Sequence, residues 1–242
     1  MKNVIPKVLG HQLDPLSLDE STDWVLERIK QNNNPNLVVT INPEIIVRSL
    51  KDNNLKQAIN DSDLTIADGV GIVWAARLRG YTLPGRVQGV DLVSKVLKMG
   101  GPSLRVFFLG GKKGVAAAAA AAAARLYGTT ITGTHHGYFE SPRIKSDVIE
   151  EIRTSCTQLL LAGLGESQEK FLNANRSALG VNVMIGVGGT LDILAGKVIR
   201  APMWTRRLGI EWAWRIGLNP QRWYRIPRLI RFAVRVIREP RK

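Results

Sequence analysis

The sequence is poor in cysteine, and Cys156 is the single one among its 242 residues. One cysteine excludes an internal disulfide and a zinc site built from several cysteines, and this usage is typical of a reducing compartment. Long apolar runs are also missing, since no stretch approaches the roughly 18 uninterrupted apolar residues of a membrane span. The first residues, MKNVIPKVLGHQLDPLSL, lack the apolar core of a signal peptide. We therefore expect a protein that is made and kept in the cytoplasm.

The usual nucleotide-binding fingerprints are absent as well. The glycine turns GVGIVW (Gly69–Trp74) and GVGGTL (Gly186–Leu191) have tryptophan and leucine where the dinucleotide motif has its third glycine. The phosphate-binding loop that ends in Gly-Lys-Ser/Thr does not occur either. A tight turn between strand and helix explains each glycine turn equally well, and we expect no bound cofactor.

Acidic residues are scarce near the C-terminal end, and the net charge of +14 is concentrated there. Between Lys197 and Lys242 there are thirteen Lys or Arg residues and two acids, Glu211 and Glu239, so this segment carries +11 of the total. Such a patch attracts phosphate, which can belong to a nucleic acid, an anionic membrane surface or a diphosphate substrate. The basic charge is therefore a property of the C-terminal segment and not of the whole chain.

Short apolar runs alternate with helical patterns from about residue 20 to residue 196. This alternation predicts right-handed βαβ units, and thus a Rossmann-like α/β core with a mostly parallel sheet and flanking helices over residues 1–196. The expected strands are Leu37–Ile41, Leu64–Ala67, Arg105–Leu109, Leu159–Ala162 and Val181–Val187. The expected helices are Glu44–Asn60, Gly71–Leu78, Asp91–Met99, the alanine-rich Val115–Tyr127 and Gln168–Ser177.

Residues 197–242 are predicted to form a basic amphipathic appendage. They hold four of the six tryptophans, and after Pro227 the arginines fall three or four residues apart, which places them on one helical face beside apolar residues. Such a helix is typical of a segment that lies on an anionic membrane. One alternative is a helix packed on the core with a solvated basic edge. Nucleic-acid binding is less favoured, because no recognisable reading motif occurs in the rest of the chain. The arginines in question are Arg228, Arg231, Arg235 and Arg238.

One acidic residue, Asp68 in LTIADGVGIVW, follows an expected buried strand directly. Ligands of open α/β sheets bind at the carboxyl ends of the strands, so this position lies where a ligand is expected. Asp68 either caps the helix that follows or acts as a base. By spacing alone, the cap is the stronger interpretation.

Seven stretches, taken together and in this order, resemble the WecG/TagA/CpsF glycosyltransferases (glycosyltransferase family 26). They cover about residues 36 to 225 and are TINPE, ADGVGIVWAARLRG, LPGRVQGVDLV, FFLGGKKGVA, GTHHGYF, GLGESQEKF and GVGGTLDILAGKVIRAPMWTRRLGIEWAWRI. The resemblance implies transfer of an N-acetylmannosamine-type sugar from UDP to a polyprenyl-diphosphate-linked sugar acceptor. It also implies a peripheral protein on the inner face of the plasma membrane, active in cell-envelope polysaccharide or teichoic-acid synthesis.

The same resemblance implies roles for particular residues. It makes Asp68 the base that takes a proton from the acceptor hydroxyl in an inverting transfer, which reverses the preference for a cap. The residues implied in catalysis are Asp68, Thr40, Arg86 and Gln168. Those implied in substrate binding are Asn42, Gln88, Tyr138, Gly188 and Asp192, with the tyrosine ring on uracil and Asp192 on uridine. The cations implied for the departing diphosphate belong to the appendage, which thereby completes the active site, and are Arg215, Arg222 and Arg225.

The match departs from the family pattern at one motif and leaves other residues open. GESQEK is one residue short of the family's P-K-Q-E motif and lacks its proline and lysine, so the resemblance does not define the geometry of the loop around Gln168. Asn42 is equally suited to hydrogen-bond its own turn, and Arg86 to be an exposed loop arginine. DSD (Asp61–Asp63) has the spacing of the metal-binding D-x-D motif but precedes its strand, so we expect metal-independent transfer.

Two other functions remain as alternatives. One is a family member that uses another donor, such as a UDP-uronic acid or a UDP-hexose. The other is a non-catalytic module that binds anionic surfaces through a Rossmann-like core. The expected partners are the UDP-sugar, the polyprenyl-diphosphate-linked acceptor and an anionic membrane surface, with no nucleic acid. A homo-oligomer would be another way to cover an apolar tail.

Overall fold

The computed structural model describes residues 5–31, 35–217, 223 and 225–239. A short antiparallel ribbon of β1 (Lys7–Val8) and β2 (His11–Gln12) comes first. The main sheet of the described chain has six strands, all parallel, in the spatial order β4-β3-β8-β7-β5-β6. Its strands are β3 (Asn36–Ile41), β4 (Leu64–Ala67), β5 (Arg105–Gly110), β6 (Thr130–His135), β7 (Leu159–Gly163) and β8 (Val183–Gly186).

Helices connect the strands and cover both faces of the sheet. Along the chain they are α1 (Leu18–Gln31), α2 (Pro43–Ser49), α3 (Asn53–Asn60), α4 (Val70–Leu78), α5 (Gly89–Gly100), α6 (Val115–Tyr127), α7 (Pro142–Thr154), α8 (Gln168–Ala174), α9 (Arg176–Leu179) and α10 (Thr190–Leu194). Three more follow in the C-terminal segment, α11 (Met203–Arg207), α12 (Glu211–Gly217) and α13 (Ile226–Arg238).

Successive residues of a strand point to opposite faces of the sheet, and each face has its own apolar core. In β3, Val39 packs in one core with α2, α3, α4, α7 and α8, whereas its neighbour Val38 packs in the other with α1, α5 and α6. Burial on both faces gives the central strands their continuous apolar sequences, as is usual in parallel sheets. The predicted α/β class, with a parallel sheet and flanking helices, is confirmed.

The predicted helix Glu44–Asn60 is wrong, because two helices occupy this range. α2 ends at Ser49, and Asp52 starts α3 by accepting a hydrogen bond from the backbone N–H of Leu55 at 3.0 Å. A side-chain acceptor at the N-cap favours a new helix start over continuation of the old helix. The predicted helix Gln168–Ser177 is likewise divided, into α8 and α9, at Asn175.

The pattern of apolar runs does not predict β6. This strand, TITGTH, lies at one edge of the sheet, where its side chains are only partly buried, so selection for apolar residues is weaker. The alanine-rich helix, in contrast, is confirmed as α6. Four of its alanines are buried in the core that contains Val38, namely Ala116, Ala119, Ala120 and Ala123.

The last helix, α13, packs on α2 and α4 through Phe232 and Val236, which are buried in the first core. Arg79, at the end of α4, donates to the carbonyl oxygens of Val236 and Glu239 and pairs with the Glu239 carboxylate at 3.0 Å. The C-terminal end of α13 is thus tied to α4. None of the helices in the described ranges is long and apolar enough to span a membrane. The division at residue 196 stays a prediction.

Candidate active site

A cleft of about 910 Å³ lies at the carboxyl ends of the strands. Loops that follow all six strands of the main sheet line it, together with residues of α12 and α13. This is the edge at which open α/β sheets bind their ligands. Ten of the residues implied by the sequence line this cleft, namely Thr40, Asn42, Asp68, Arg86, Gln88, Tyr138, Gln168, Gly188, Asp192 and Arg225.

Asp68 is the first residue after β4 and is half-buried in the cleft wall. Its backbone N–H donates to the carbonyl oxygen of Ile41 at 2.8 Å, which ties the end of β4 to the end of β3. Gly69 has a φ of 103°, a conformation that favours glycine, and it occupies the N-cap position of α4. The N-cap that the alternative interpretation gave to Asp68 therefore belongs to Gly69.

Thr40 and Asn42 flank the last residue of β3. The Thr40 hydroxyl is buried and donates to the carbonyl oxygen of Gly186 at 3.2 Å, which joins β3 to β8. The Asn42 Oδ1 accepts from the backbone N–H groups of Glu44 and Ile45 at 3.0 and 3.1 Å and so caps α2. The alternative role of Asn42 in its own turn is thus present, and a contact to a substrate would have to come from its amide nitrogen.

Gln168 forms the middle of a short hydrogen-bonded chain across the cleft wall. Its Oε1 accepts from the backbone N–H of Gly188 at 3.0 Å, and its Nε2 donates to Glu169 Oε1 at 2.6 Å. Gln168 is 4% exposed and Glu169 is 2% exposed. Because the amide of Gln168 uses its oxygen on one side and its nitrogen on the other, Glu169 fixes which way that amide points.

Glu169 was not predicted from the sequence, and it is the most unusual ionisable group in the cleft. Burial raises the pKa of its carboxyl group, although the hydrogen bond from Gln168 and the charge of Arg48 each act to lower that pKa. Its Oε2 is buried and has no hydrogen-bond partner within the described part of the chain. Nothing in the local pattern SQEK distinguishes a buried glutamate at a helix start from a solvated one, so its burial follows only from the packing of α8.

The loop that carries Arg86 and Gln88 lies beside Asp68. The backbone N–H of Val87 donates to the carbonyl oxygen of Ala67 at 2.9 Å, which places this loop against the end of β4. Gln88 donates through Nε2 to Glu211 of α12 and accepts from Arg200 at 3.3 Å. Gln88 therefore links the strand end to the C-terminal segment, a contact that the sequence did not suggest.

Tyr138, in the loop after β6, and Asp192, in α10, both line the cleft. Tyr138 is 61% exposed, and Asp192 is half-buried in the first turn of α10. His135 and His136, which would point in opposite directions within a strand, have ring centroids only 4.4 Å apart, because His136 lies beyond the end of β6. No group of three or more His, Cys, Asp or Glu that could hold a metal ion occurs among the described residues. Metal independence stays a prediction.

Cations from the core and from α13 meet at the cleft. Arg225 pairs with Glu44 at 3.3 Å, and Arg228 pairs with Glu166 at 2.7 Å. The hydrogen bond from Arg228 lowers the pKa of the Glu166 carboxyl group, with help from the charge of Arg48. Arg228 thus lines the cleft in an ion pair, where the helical pattern had placed it on a surface face with the later arginines. The side chain of Arg215 and the whole of Arg222 lie outside the described residues.

The fold and the cleft define a Rossmann-like α/β protein with a ligand site at the strand ends and cations at its border. The chain belongs to the glycosyl transferase WecG/TagA/CpsF family, whose model matches residues 6–242. The family resemblance inferred from the seven stretches is therefore confirmed, and the protein is a glycosyltransferase.

Two curated relatives of this chain are both named N-acetylglucosaminyldiphosphoundecaprenol N-acetyl-beta-D-mannosaminyltransferase. The protein of Bacillus subtilis (strain 168) is 32% identical to this chain over 206 residues, which are 84% of this chain and 79% of the relative. The protein of Staphylococcus aureus (strain NCTC 8325 / PS 47) is 28% identical over 228 residues, which are 90% of this chain and 88% of the relative.

Proposed function

We propose that this protein transfers N-acetylmannosamine from its UDP derivative to N-acetylglucosamine linked through diphosphate to a polyprenol, in cell-envelope polysaccharide or teichoic-acid synthesis. The observation that carries the proposal is the convergence of Asp68 with nine other residues implied by the family pattern on one cleft. The names of the relatives, which specify this acceptor and a β-linked mannosamine, support the substrate assignment.

In the proposed reaction, the Asp68 carboxylate takes the proton from the acceptor hydroxyl. The hydroxyl oxygen then forms a bond to the anomeric carbon while the bond from that carbon to the UDP oxygen breaks. UDP leaves with the electron pair, and attack from the face opposite to UDP inverts the anomeric centre. The half-buried position of Asp68 at a strand end supports this role, since its backbone is fixed by the hydrogen bond to Ile41.

The remaining contacts divide between the sugar and the nucleotide. Thr40, Arg86 and Gln168 line the cleft beside Asp68 and would hold the reacting groups in place. Tyr138 would stack on uracil, and Asp192 would accept a hydrogen bond from uridine. Negative charge develops on the departing diphosphate, and fixed cations stabilise it. Those assigned to it are Arg225, at the cleft border, with Arg215 and Arg222.

We further propose that the C-terminal segment docks on an anionic membrane at the inner face of the plasma membrane. Large apolar side chains of this segment are exposed, which is costly in water and favourable in a lipid interface. On α13, arginines lie along one side of the exposed apolar strip, as expected for a helix on an anionic surface. The exposed apolar residues are Ile199, Met203, Trp204, Leu208, Ile210, Trp212, Trp223, Ile226, Ile230, Val234 and Ile237.

The test is a transfer assay in detergent micelles with a short-chain polyprenyl-diphosphate N-acetylglucosamine as acceptor. UDP-N-acetylmannosamine is compared with UDP-N-acetylglucosamine, UDP-glucose and a UDP-uronic acid as donors. We expect product from UDP-N-acetylmannosamine at a kcat/KM well above that for each of the others. Faster transfer from a different donor would contradict the sugar assignment, and binding of UDP without transfer from any donor would contradict the assignment of activity.

A further inference from the structure

A second cavity, of about 420 Å³, lies beside the first turns of α13 and next to the cleft. Arg48, Glu166 and Arg228 line both spaces, so the two are neighbours. No described residue at the ends of β3 or β4 lines the second cavity, which therefore stays apart from Asp68. We call it the α2–α13 pocket, and its charged residues are Arg48, Lys51, Asp52, Glu166, Lys170, Arg228 and Arg231.

The ion pairs in this pocket leave two cations without an acidic partner. Glu166 pairs with Arg228 at 2.7 Å and with Arg48 at 3.6 Å, and Asp52 pairs with Lys170 at 2.7 Å. This accounts for both acids of the pocket. The side chains of Lys51, on the α2 side, and Arg231, on α13, have no ion pair or hydrogen bond with any described residue, and both residues are exposed. A phosphate group in the pocket would meet these two cations and would gain charge-assisted hydrogen bonds from them.

The surface next to Arg231 indicates which phosphate compound fits. Around α13, Phe232 faces the core, Arg231 and the later arginines lie on one side, and an apolar strip lies on another. That strip consists of Ile230, Val234 and Ile237, all exposed. A ligand with its phosphate at Lys51 and Arg231 and its hydrocarbon along the strip would use both surfaces, whereas a free phosphate would use only the first.

We infer that the α2–α13 pocket binds the phosphate of an anionic phospholipid headgroup while the apolar strip of α13 lies in the lipid. The inference rests on the proposed membrane docking and goes beyond it, since it names a defined headgroup site that includes core residues of α2. The acceptor diphosphate is the other lipid phosphate in reach, but its sugar must enter the cleft at Asp68, and Asp68 does not line the pocket.

Binding to vesicles of phosphatidylcholine, with and without phosphatidylglycerol, tests this inference with the full chain. The variant is the double change Lys51→Glu and Arg231→Glu. The matched control is Lys98→Glu with Arg143→Glu, which gives the same change in net charge at exposed positions of α5 and α7. We expect the pocket variant to bind phosphatidylglycerol vesicles at least about tenfold more weakly than the control, because the pocket charges contact the headgroup and the charges at the two control positions do not.

Transfer to the short-chain acceptor in detergent micelles separates the two lipid sources and the two proposals. We expect the pocket variant to keep the wild-type KM for the acceptor there. Equal vesicle binding by the pocket variant and the control would overturn the headgroup site while leaving membrane docking intact. A raised acceptor KM with unchanged vesicle binding would assign the pocket to the acceptor diphosphate and would also overturn it. If the wild type did not bind vesicles, membrane docking itself would be wrong, whereas the transfer assay would still report on the activity.

Discussion

The strand ends and α13 form walls of the same cleft, but different packing holds them. The strands that carry Asp68, Thr40 and Gln168 to the first wall are buried on both faces, and hydrogen bonds such as that from Thr40 to Gly186 join their ends. α13 has one buried side, with Phe232 3% exposed, and presents arginine and isoleucine to solvent on its other sides. The first wall is therefore part of the core, whereas the second rests on it.

This difference indicates separate tasks for the two walls. Local stability increases with the number of buried contacts. The strand ends are therefore expected to unfold only together with the whole core, whereas α13 is expected to unfold locally by itself. A fixed wall suits a base that must stay within hydrogen-bond reach of one hydroxyl. A helix with two exposed sides suits contact with a membrane. The following changes test each side of this comparison.

The largest effect is expected from Asp68→Asn, in the fixed wall. The amide keeps the shape of the side chain but is not a base, so we expect kcat to fall by about 10²–10⁴-fold. The thermal unfolding midpoint should change little. The transfer assay measures the loss, and Asp147→Asn, an exposed aspartate on α7, is the control. Wild-type activity in Asp68→Asn would rule out its role as base.

Because the transfer is predicted to be metal-independent, the activity of the wild-type protein should survive a chelator.

Two phenylalanines allow the stability of the walls to be compared directly. Phe108 in β5 is fully buried in the sheet, and Phe232 is the buried anchor of α13. Removal of a buried phenylalanine costs about 3–5 kcal/mol. We expect Phe108→Ala to lower the unfolding midpoint of the whole protein. Phe232→Ala should instead speed amide hydrogen exchange in α13 and lower activity, with exchange in β3 and β8 unchanged. Equal exchange in α13 and the strands for both variants would show that the two walls open together.

A smaller effect is expected at Glu169, which fixes the amide of Gln168. Glu169→Ala removes the acceptor for Gln168 Nε2, so the amide can turn and release Gly188. We expect a loss of about two- to tenfold in kcat/KM, because one intramolecular hydrogen bond contributes about 0.5–1.5 kcal/mol. Glu169→Gln keeps an acceptor oxygen and should restore most of the activity. If the glutamine variant were as impaired as the alanine variant, the charge or proton of Glu169 would matter and not its position.

The pH dependence of stability tests the burial of the same residue. Burial raises the pKa of Glu169, so the folded protein binds this proton more tightly than the unfolded chain does. From about pH 4.3, the usual value for glutamate, up to the raised pKa, this group therefore makes the protein less stable as the pH rises. Glu169→Gln has no such proton. Its free energy of unfolding, measured in urea, should increase relative to that of the wild type as the pH rises across this interval. A difference between the two proteins that does not change with pH would contradict the assignment.

The smallest effect is expected at Arg79, which ties the end of α13 to α4. Arg79→Gln loses the ion pair with Glu239 and weakens the contacts to the last carbonyl oxygens of the helix. We expect the last turn of α13 to fray, with faster amide exchange there and a small loss of activity. Arg77→Gln, two residues earlier on the exposed side of α4, is the control. Unchanged exchange in the last turn would mean that Phe232 and Val236 hold the helix without this clamp.

Local pattern predicted much of the core and the positions that face the cleft. Buried parallel strands have apolar runs because both faces are covered, and βα turns contain glycine or a polar residue for geometric reasons, so β3, β4, β5, β7 and β8 were predictable. β6 was not, since its side chains are only partly buried and it therefore has no continuous apolar run. The break between α2 and α3 was missed because the cap by Asp52 competes with a helical pattern that continues through it.

The sequence by itself determined the family, the α/β class, and which strand ends would carry Asp68, Thr40 and Gln168. Only the tertiary structure decided how these residues are held and what surrounds them. The bond between Gln88 and Glu211 joins residues 123 positions apart, and the pair of Arg228 with Glu166 joins residues 62 apart. Glu169 is an ordinary acid in sequence and a buried one in the fold. Such contacts depend on which elements become neighbours, and local periodicity carries no information about distant neighbours.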